Sequence, residues 1–270
     1  MKEIHLKHLN KKYKLGRTVP KNIENMPVLK AANYLGNLPK PPKWVNYTYK
    51  ANKSLSDIYL NDELGDCVIA CGYHFKGLAT GNTGKEFIAT KDDLLHDYKE
   101  IGGYIPGQPD TDQGCDLSTA LNYWTKTGFT DGKKLIAWMS VDPTNQTMVQ
   151  LCTYLFENLI FGVGLPDKWL GNNIPEKNGF TWDVAGDADL NNGHCFLGCG
   201  YNDKAVLIDT WGLLGYITYK AVAKYAFSKN GGELYVALTD EIVSKASSRA
   251  PSGFDWANLV NDFNALGGNV

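Results

Sequence analysis

The feature that most constrains the fold lies late in the chain, between His194 and Gly212. Two apolar runs, Cys195 to Tyr201 and Lys204 to Asp209, flank Asn202-Asp203. Asn and Asp tolerate the left-handed backbone that a two-residue turn demands, so the runs read as an antiparallel hairpin. Tyr216 to Thr218 and Leu234 to Leu238 supply further strands, with a helix over Tyr219 to Lys229 between them.

The first half carries the helical period instead. Asp66 is placed to cap a helix that opens at Cys67 and runs to Phe75. Leu117, Ala120, Leu121 and Trp124 recur at i, i+3, i+4 and i+7 behind a cap at Asp116. Met148, Leu151, Cys152, Leu155 and Leu159 share one face of a third helix, which runs into a buried strand, Ile160 to Leu165. Trp44 to Tyr47 reads as a short extended run, and glycine- and proline-rich loops fill 101–114. Helices early and antiparallel strands late define an α+β chain. Its N-terminal helical subdomain holds the Cys67 helix and its C-terminal subdomain is β. Residues 1–40 are polar, are broken by prolines up to Leu38-Pro39-Lys40-Pro41-Pro42, and read as an arm that wraps onto the following domain. The domain proper spans 41–245, and 246–270 form a tail with a short helix over Phe254 to Leu266.

At 270 residues the chain can bury one core of two subdomains. A net charge of −2 leaves no basic face, so a nucleic-acid partner is not expected. The basic cluster from Lys7 to Arg17 reads as a solvated part of the arm. The N-terminal lysines have no apolar stretch behind them, and no run approaches the ~18 apolar residues of a membrane span. The expectation is synthesis in the cytoplasm without a membrane anchor. Six cysteines in a chain of this length then read as reduced thiols rather than a disulfide framework.

Cys67 sits at a helix start, where backbone N–H groups and the macrodipole favour a thiolate. Asp66 beside it works the other way, so a cationic histidine is required. His194 follows the turn signal Asn191-Asn192-Gly193 and opens an apolar strand. Asp209 ends the partner strand, where hairpin geometry brings it beside His194 to orient the imidazole. Cys67, His194 and Asp209 are thus a candidate nucleophile, base and orienting carboxylate. Zinc is the rival chemistry for Cys67, Cys71, His194, Cys195 and Cys199. The Cys-x3-Cys spacing disfavours it, and Cys195 and Cys199 lie about 13 Å apart on a strand. No metal or cofactor is expected.

These segments resemble the papain-like cysteine peptidase superfamily over about residues 40–240. His194 followed by Gly200-Tyr201 is similar to its His-then-Gly-Tyr strand. Asp209-Thr210-Trp211-Gly212 resembles its Asn-Ser-Trp-Gly segment, and Gly215-Tyr216 its later Gly-Tyr. The nucleophile comes first in both, with the later members some 130–150 residues on. Asn61-Asp62-x-Leu64-Gly65-Asp66-Cys67 also resembles a motif of uncharacterised phage-encoded proteins. The resemblance implies a papain-like fold and a hydrolase (peptidase or amidase) working through a Cys67–His194–Asp209 triad and a thioester. It implies an oxyanion hole from Asn61, in place of the family's glutamine, and the Cys67 backbone N–H. It gives Trp211 the role of shielding His194 and Asp209, and Cys115 the state of a free thiol. The loop with Gly102, Gly103 and Gln113, together with Gly193, would frame a groove for a peptide or protein substrate. No long inhibitory prosegment is expected, since forty residues cannot reproduce one. The alternative is a non-catalytic papain-like module assembled into a larger complex such as a virion.

Overall fold

The computed structural model describes residues 2–21, 23, 29–35, 40–171, 175–177, 179–249 and 261. Leu38 and Pro39 of the proline break, and all of the expected terminal helix over Phe254 to Leu266 except Asn261, lie outside the described residues.

The N-terminal residues form regular strands. Strands β1 (Lys2–Leu6) and β2 (Lys11–Leu15) form an antiparallel hairpin in which Ile4 faces Tyr13. Apolar and charged residues alternate, so Ile4, Leu6, Tyr13 and Leu15 are buried while Lys2, Lys11 and Lys12 are exposed. The chain continues as β3 (Arg17–Thr18), β4 (Leu29–Lys30), α1 (Ala32–Leu35) and β5 (Val45–Asn46).

Then come α2 (Asn52–Ser56), α3 (Cys67–Gly81) and α4 (Lys91–Gly102). Helix α3 is buried at every residue from Cys67 to Ala79, with its polar side chains His74 and Lys76 paired, His74 to the Ser54 carbonyl and Lys76 to Asp131. Glycines let its neighbours close in: Gly72 abuts the Trp124 ring, Gly77 abuts Ser54, and Gly81 the Lys50 carbonyl. Strand β6 (Cys115–Asp116) leads into α5 (Leu117–Lys126), and the Asp116 carboxylate caps that helix as expected, accepting from the Thr119 N–H.

The second half is built on a sheet. Its members from this half are β7 (Ala137–Ser140), β8 (Leu159–Gly164), β9 (Thr181–Trp182), β10 (Gly193–Tyr201), β11 (Ala205–Thr210), β12 (Leu213–Thr218) and β13 (Glu233–Leu238), joined by β4 and β5. The spatial order is β4-β7-β13-β8-β10-β11-β12-β9, with β5 also on β10. Helices α6 (Gln146–Phe156), α7 (Tyr219–Tyr225) and α8 (Asp240–Arg249) accompany it. Strand β10 is buried throughout and packs against α3, so the β subdomain meets the helical one along this line.

The expected hairpin is present. The Asn202 side chain closes it by accepting from the Lys204 and Ala205 N–H groups. Its register holds a feature the motif did not disclose. Tyr201 pairs with Val206 and Gly200 with Leu207, but the pairing then shifts, so that Gly198 faces Ile208 and Leu197 faces Asp209. The extra residue is a β-bulge at Cys199, and it decides which side chains beyond it share a face.

Candidate active site

Cys67 is the first residue of α3. Asp66 holds the N-cap position, but its side chain makes no capping bond. It is buried, with Oδ1 3.4 Å from Asn61 Nδ2 and Oδ2 unpartnered among the described residues. Burial pushes the Asp66 carboxyl well up, which favours the neutral acid over a charge beside the thiol. Burial also pushes the Cys67 thiol up. Neighbouring Cys195 adds to this, while the backbone N–H groups of Cys195 and Gly16 favour the thiolate. The sulfur therefore lies against the entry of β10, next to the residue following His194.

His194 is buried, and its Nε2 lies 2.7 Å from Thr210 Oγ1. Its ring stacks on Trp211 at 4.4 Å and 26°. Nδ1 has no hydrogen-bond partner among the described residues. With Nε2–H donating to Thr210, Nδ1 carries the free lone pair that a base requires. No hydrogen bond joins this ring to the Cys67 sulfur. Burial lowers the His194 pKa to about 3, so the imidazole here is neutral.

The orienting role expected of Asp209 is corrected. Alternate residues of a strand point to opposite faces, and the bulge places Asp209 opposite Leu197, on the face away from His194. Both Asp209 oxygens lack a hydrogen-bond partner among the described residues, and its nearest basic atom is His74 Nδ1 at 3.4 Å. Thr210, one residue on, reaches the imidazole in its place. Glycines within a strand signal bulges, so Gly198-Cys199-Gly200 was the cue to this shift.

The cleft over Cys67 is occupied by the chain's own residues. Lys14 pairs its backbone with Asn61 in both directions: its N–H donates to the Asn61 carbonyl at 2.8 Å, and its carbonyl accepts from Asn61 Nδ2 at 2.9 Å. Asn61 Nδ2 also donates to the Leu64 carbonyl, so the amide expected to hold an oxyanion is already engaged. Lys14 Nζ forms an ion pair with Asp112 at 2.8 Å. The Gly16 carbonyl accepts from the Cys115 N–H at 3.0 Å, and Arg17 pairs with Cys115 in parallel. A Cβ on Gly16 would overlap the Gly65 carbonyl, one on Gly114 the Gly16 carbonyl, and one on Gly193 the Arg17 carbonyl. Glycine is what lets one backbone lie this close on others. Tyr13 stacks on Trp211 at 4.9 Å.

The groove walls are therefore Gly65, Gly114-Cys115 and Gly193. Gly193 was expected there. Gln113 instead is exposed and bonded to the Asp110 carbonyl, and Gly103 caps the end of α4. Arg17, read as part of a solvated arm, is buried against Glu233. Beside Trp211, a cavity of about 760 Å³ opens between Tyr13, Leu55, Ile58 and Leu213. All six cysteines are free thiols, Cys115 included. Among the described residues no cluster of three or more His, Cys, Asp or Glu could hold a metal ion, and no helix is long and apolar enough to cross a membrane.

A helix-borne cysteine set against a strand-borne histidine, across the join of a helical and a β subdomain, is the layout of the papain-like α+β fold. No family model matches the chain, and no curated protein does. Solved structures do match it. Xylellain, a cysteine protease from Xylella fastidiosa, aligns over 85% of this chain and 97% of its own, at TM-score 0.59 and 15% identity. A structure concerning the mite allergens Blo t 1 and Der p 1 aligns over 81% of this chain and 78% of its own, at TM-score 0.57 and 11% identity. Digestive procathepsin L2 from Tenebrio molitor larval midgut covers 84% and 78%, at TM-score 0.50 and 12% identity. At such identities the likeness establishes the fold, and the chain has it.

Proposed function

We propose that this chain is a cysteine-dependent hydrolase of peptide or amide bonds, held closed here by its own residues 13–18. The observation that carries the reading is the run of backbone that passes Gly65, Gly114 and Gly193 beside the Cys67 helix start, while His194 Nδ1 is left without a hydrogen-bond partner among the described residues. A cleft that accepts one extended segment between glycine walls is shaped to accept another.

Once the segment leaves, water reaches the site and the burial that keeps Cys67 a thiol and His194 neutral is relieved. His194 Nδ1 then takes the thiol proton, and Thr210 holds the ring by Nε2. The thiolate attacks a substrate carbonyl, and the oxyanion is met by the Cys67 N–H and by the Asn61 N–H that Lys14 now occupies. His194 returns its proton to the nitrogen as the C–N bond breaks, leaving a thioester on Cys67. Water, deprotonated by His194, hydrolyses it and releases the acid. Loss of one oxyanion donor costs ~10²–10³ in rate, so adding Asn61→Ala to the already opened Gly16→Ala chain should slow turnover by that order. The test of the whole reading is a peptide-library cleavage screen on the Gly16→Ala chain, with Gly16→Ala/Cys67→Ala as control. Cleavage confined to the first supports hydrolysis, and none in either opposes it.

One observation set favours a second reading, a non-catalytic module, in which the phage-like Asn61 to Cys67 motif would belong to a virion or assembly protein. Cys67 is buried, Asn61's amide is spent within the chain, and Asp209 faces away from His194. In that reading Cys67 stays inert whatever becomes of residues 13–18.

A further inference from the structure

Arg17 is supplied by a two-residue strand that pairs only with β6, yet its side chain is buried in the β subdomain. Its Nε donates to Glu233 Oε2 at 3.0 Å, and Nη2 donates to the same oxygen. Nη1 donates to the Gly231 carbonyl at 2.7 Å. Glu233 Oε1 accepts from the Tyr235 hydroxyl at 3.0 Å, so both carboxylate oxygens are fixed. Gly231, at φ 70°, has the left-handed backbone that glycine adopts without strain. Gly162 leaves the floor open, since a Cβ there would lie 2.9 Å from both Arg17 Nε and Glu233 Oε2.

The receptor half of this arrangement (Gly162, Gly231, Glu233, Tyr235) belongs to β8, to β13 and to the turn before it. The guanidinium alone comes from the segment in the cleft. Its backbone neighbour Gly16 lies at Cys67 and its own carbonyl at Gly193, so the side chain enters at a fixed offset from the sulfur. Removing the segment would strand a buried carboxylate without its counter-charge, a state that strongly favours recapture of a cation. The fork geometry selects among cations. Two N–H groups converge on one oxygen while a third reaches a carbonyl, which a lysine ammonium on a single stem does not reproduce.

We propose that Glu233, with the Gly231 carbonyl and the space left by Gly162, is an arginine-recognition pocket beside Cys67, filled in cis by Arg17 and open to an arginine of a peptide ligand in trans. The pocket deepens the hydrolase reading by giving its substrate a chemical class, but recognition itself does not require catalysis.

The test uses the full chain carrying Gly16→Ala and Arg17→Ala, so that residues 13–18 no longer fill the cleft, and two labelled hexapeptides. One has the sequence of residues 13–18, acetyl-Tyr-Lys-Leu-Gly-Arg-Thr-amide, and the other has citrulline, its neutral isostere, for arginine. Fluorescence anisotropy should show the arginine peptide binding at least about tenfold more tightly, and Glu233→Gln in the same background should abolish the difference. Equal binding of the two peptides, or a preference that survives Glu233→Gln, overturns the pocket. Arg17→Met, which keeps the apolar stem, serves if Arg17→Ala does not fold. The two readings separate on fluorogenic amides offered to the Gly16→Ala chain. Arginine-selective binding without cleavage keeps the pocket and ends the hydrolase reading, whereas cleavage indifferent to arginine keeps the hydrolase and ends the pocket.

Discussion

Thr210 and Asp209 are consecutive residues whose side chains lie on opposite faces of one strand, and only Thr210 meets the imidazole. If the Thr210 hydroxyl holds the ring, Thr210→Val removes a hydrogen bond worth about 1 kcal/mol, or roughly fivefold in Cys67 reactivity of an opened chain. Asp209→Asn, beside His74, should leave that reactivity unchanged. Alkylation rates of the two variants check the assignment, and the reverse ranking would restore Asp209 as the orienting group. The places of Cys67 at a helix start and of His194 at a strand entrance were legible because each carries a local cue. The contact between Thr210 and His194 was not legible by motif, because a one-residue bulge exchanges the faces of everything beyond it. Arg17 and Glu233 stand 216 positions apart, and no local pattern joins them.

Elements defined by local chemistry were readable. Asn202 closes the β10–β11 hairpin with its own side chain, and Asp116 caps α5 as its position foretold. Helix α4 escaped notice although Thr90 and Asp93 form a reciprocal capping box at its start. Its charged face, Lys91 to Glu100, hides the apolar one. Helix α3 runs to Gly81 rather than stopping at Phe75, because the glycines in its second half are packing sites, not stops. The Trp124 ring occupies the place of a Cβ on Gly72, so Gly72→Ala should destabilise the chain by about 1–3 kcal/mol. Urea denaturation measures this, and an unchanged midpoint would mean that α3 and α5 do not pack so closely.

On the scale of the whole molecule, residues 2–18 form a hairpin and a segment that runs on past Gly65 and Gly114, where the Lys7 to Arg17 cluster was expected to be solvated. The alternation Lys12, Tyr13, Lys14, Leu15 carries the strand period, but where such a strand docks depends on a cleft assembled from distant segments. Burial in the closed form lowers His194 to about 3 and His74 to about 4, against about 6.5 for an unfolded histidine. The unfolded chain therefore takes up protons first as pH falls. The stability due to these two groups is whole above about pH 6.5 and is lost on acidification toward pH 3–4. Burial raises the carboxyls of Asp66, Asp209 and Glu233, and their contribution has the opposite sign: present below the ordinary carboxylate range, and lost as pH rises through their folded values. Urea midpoints followed from pH 7 to pH 4 should fall less steeply for His74→Gln than for the parent chain, whereas identical slopes would mean that His74 is not held neutral.

A cysteine made inert by its own N-terminal strand must regain reactivity when that strand is displaced, and Gly16 is where displacement is simplest. Mass spectrometry of Cys67 carboxamidomethylation at neutral pH should find the parent chain slow and Gly16→Ala at least about tenfold faster, the effect of roughly 1.4 kcal/mol of lost closure. Gly16→Ala/His194→Ala should be slow again. A Gly16→Ala chain whose Cys67 labels no faster than buried Cys152, or as fast without His194 as with it, would contradict the account.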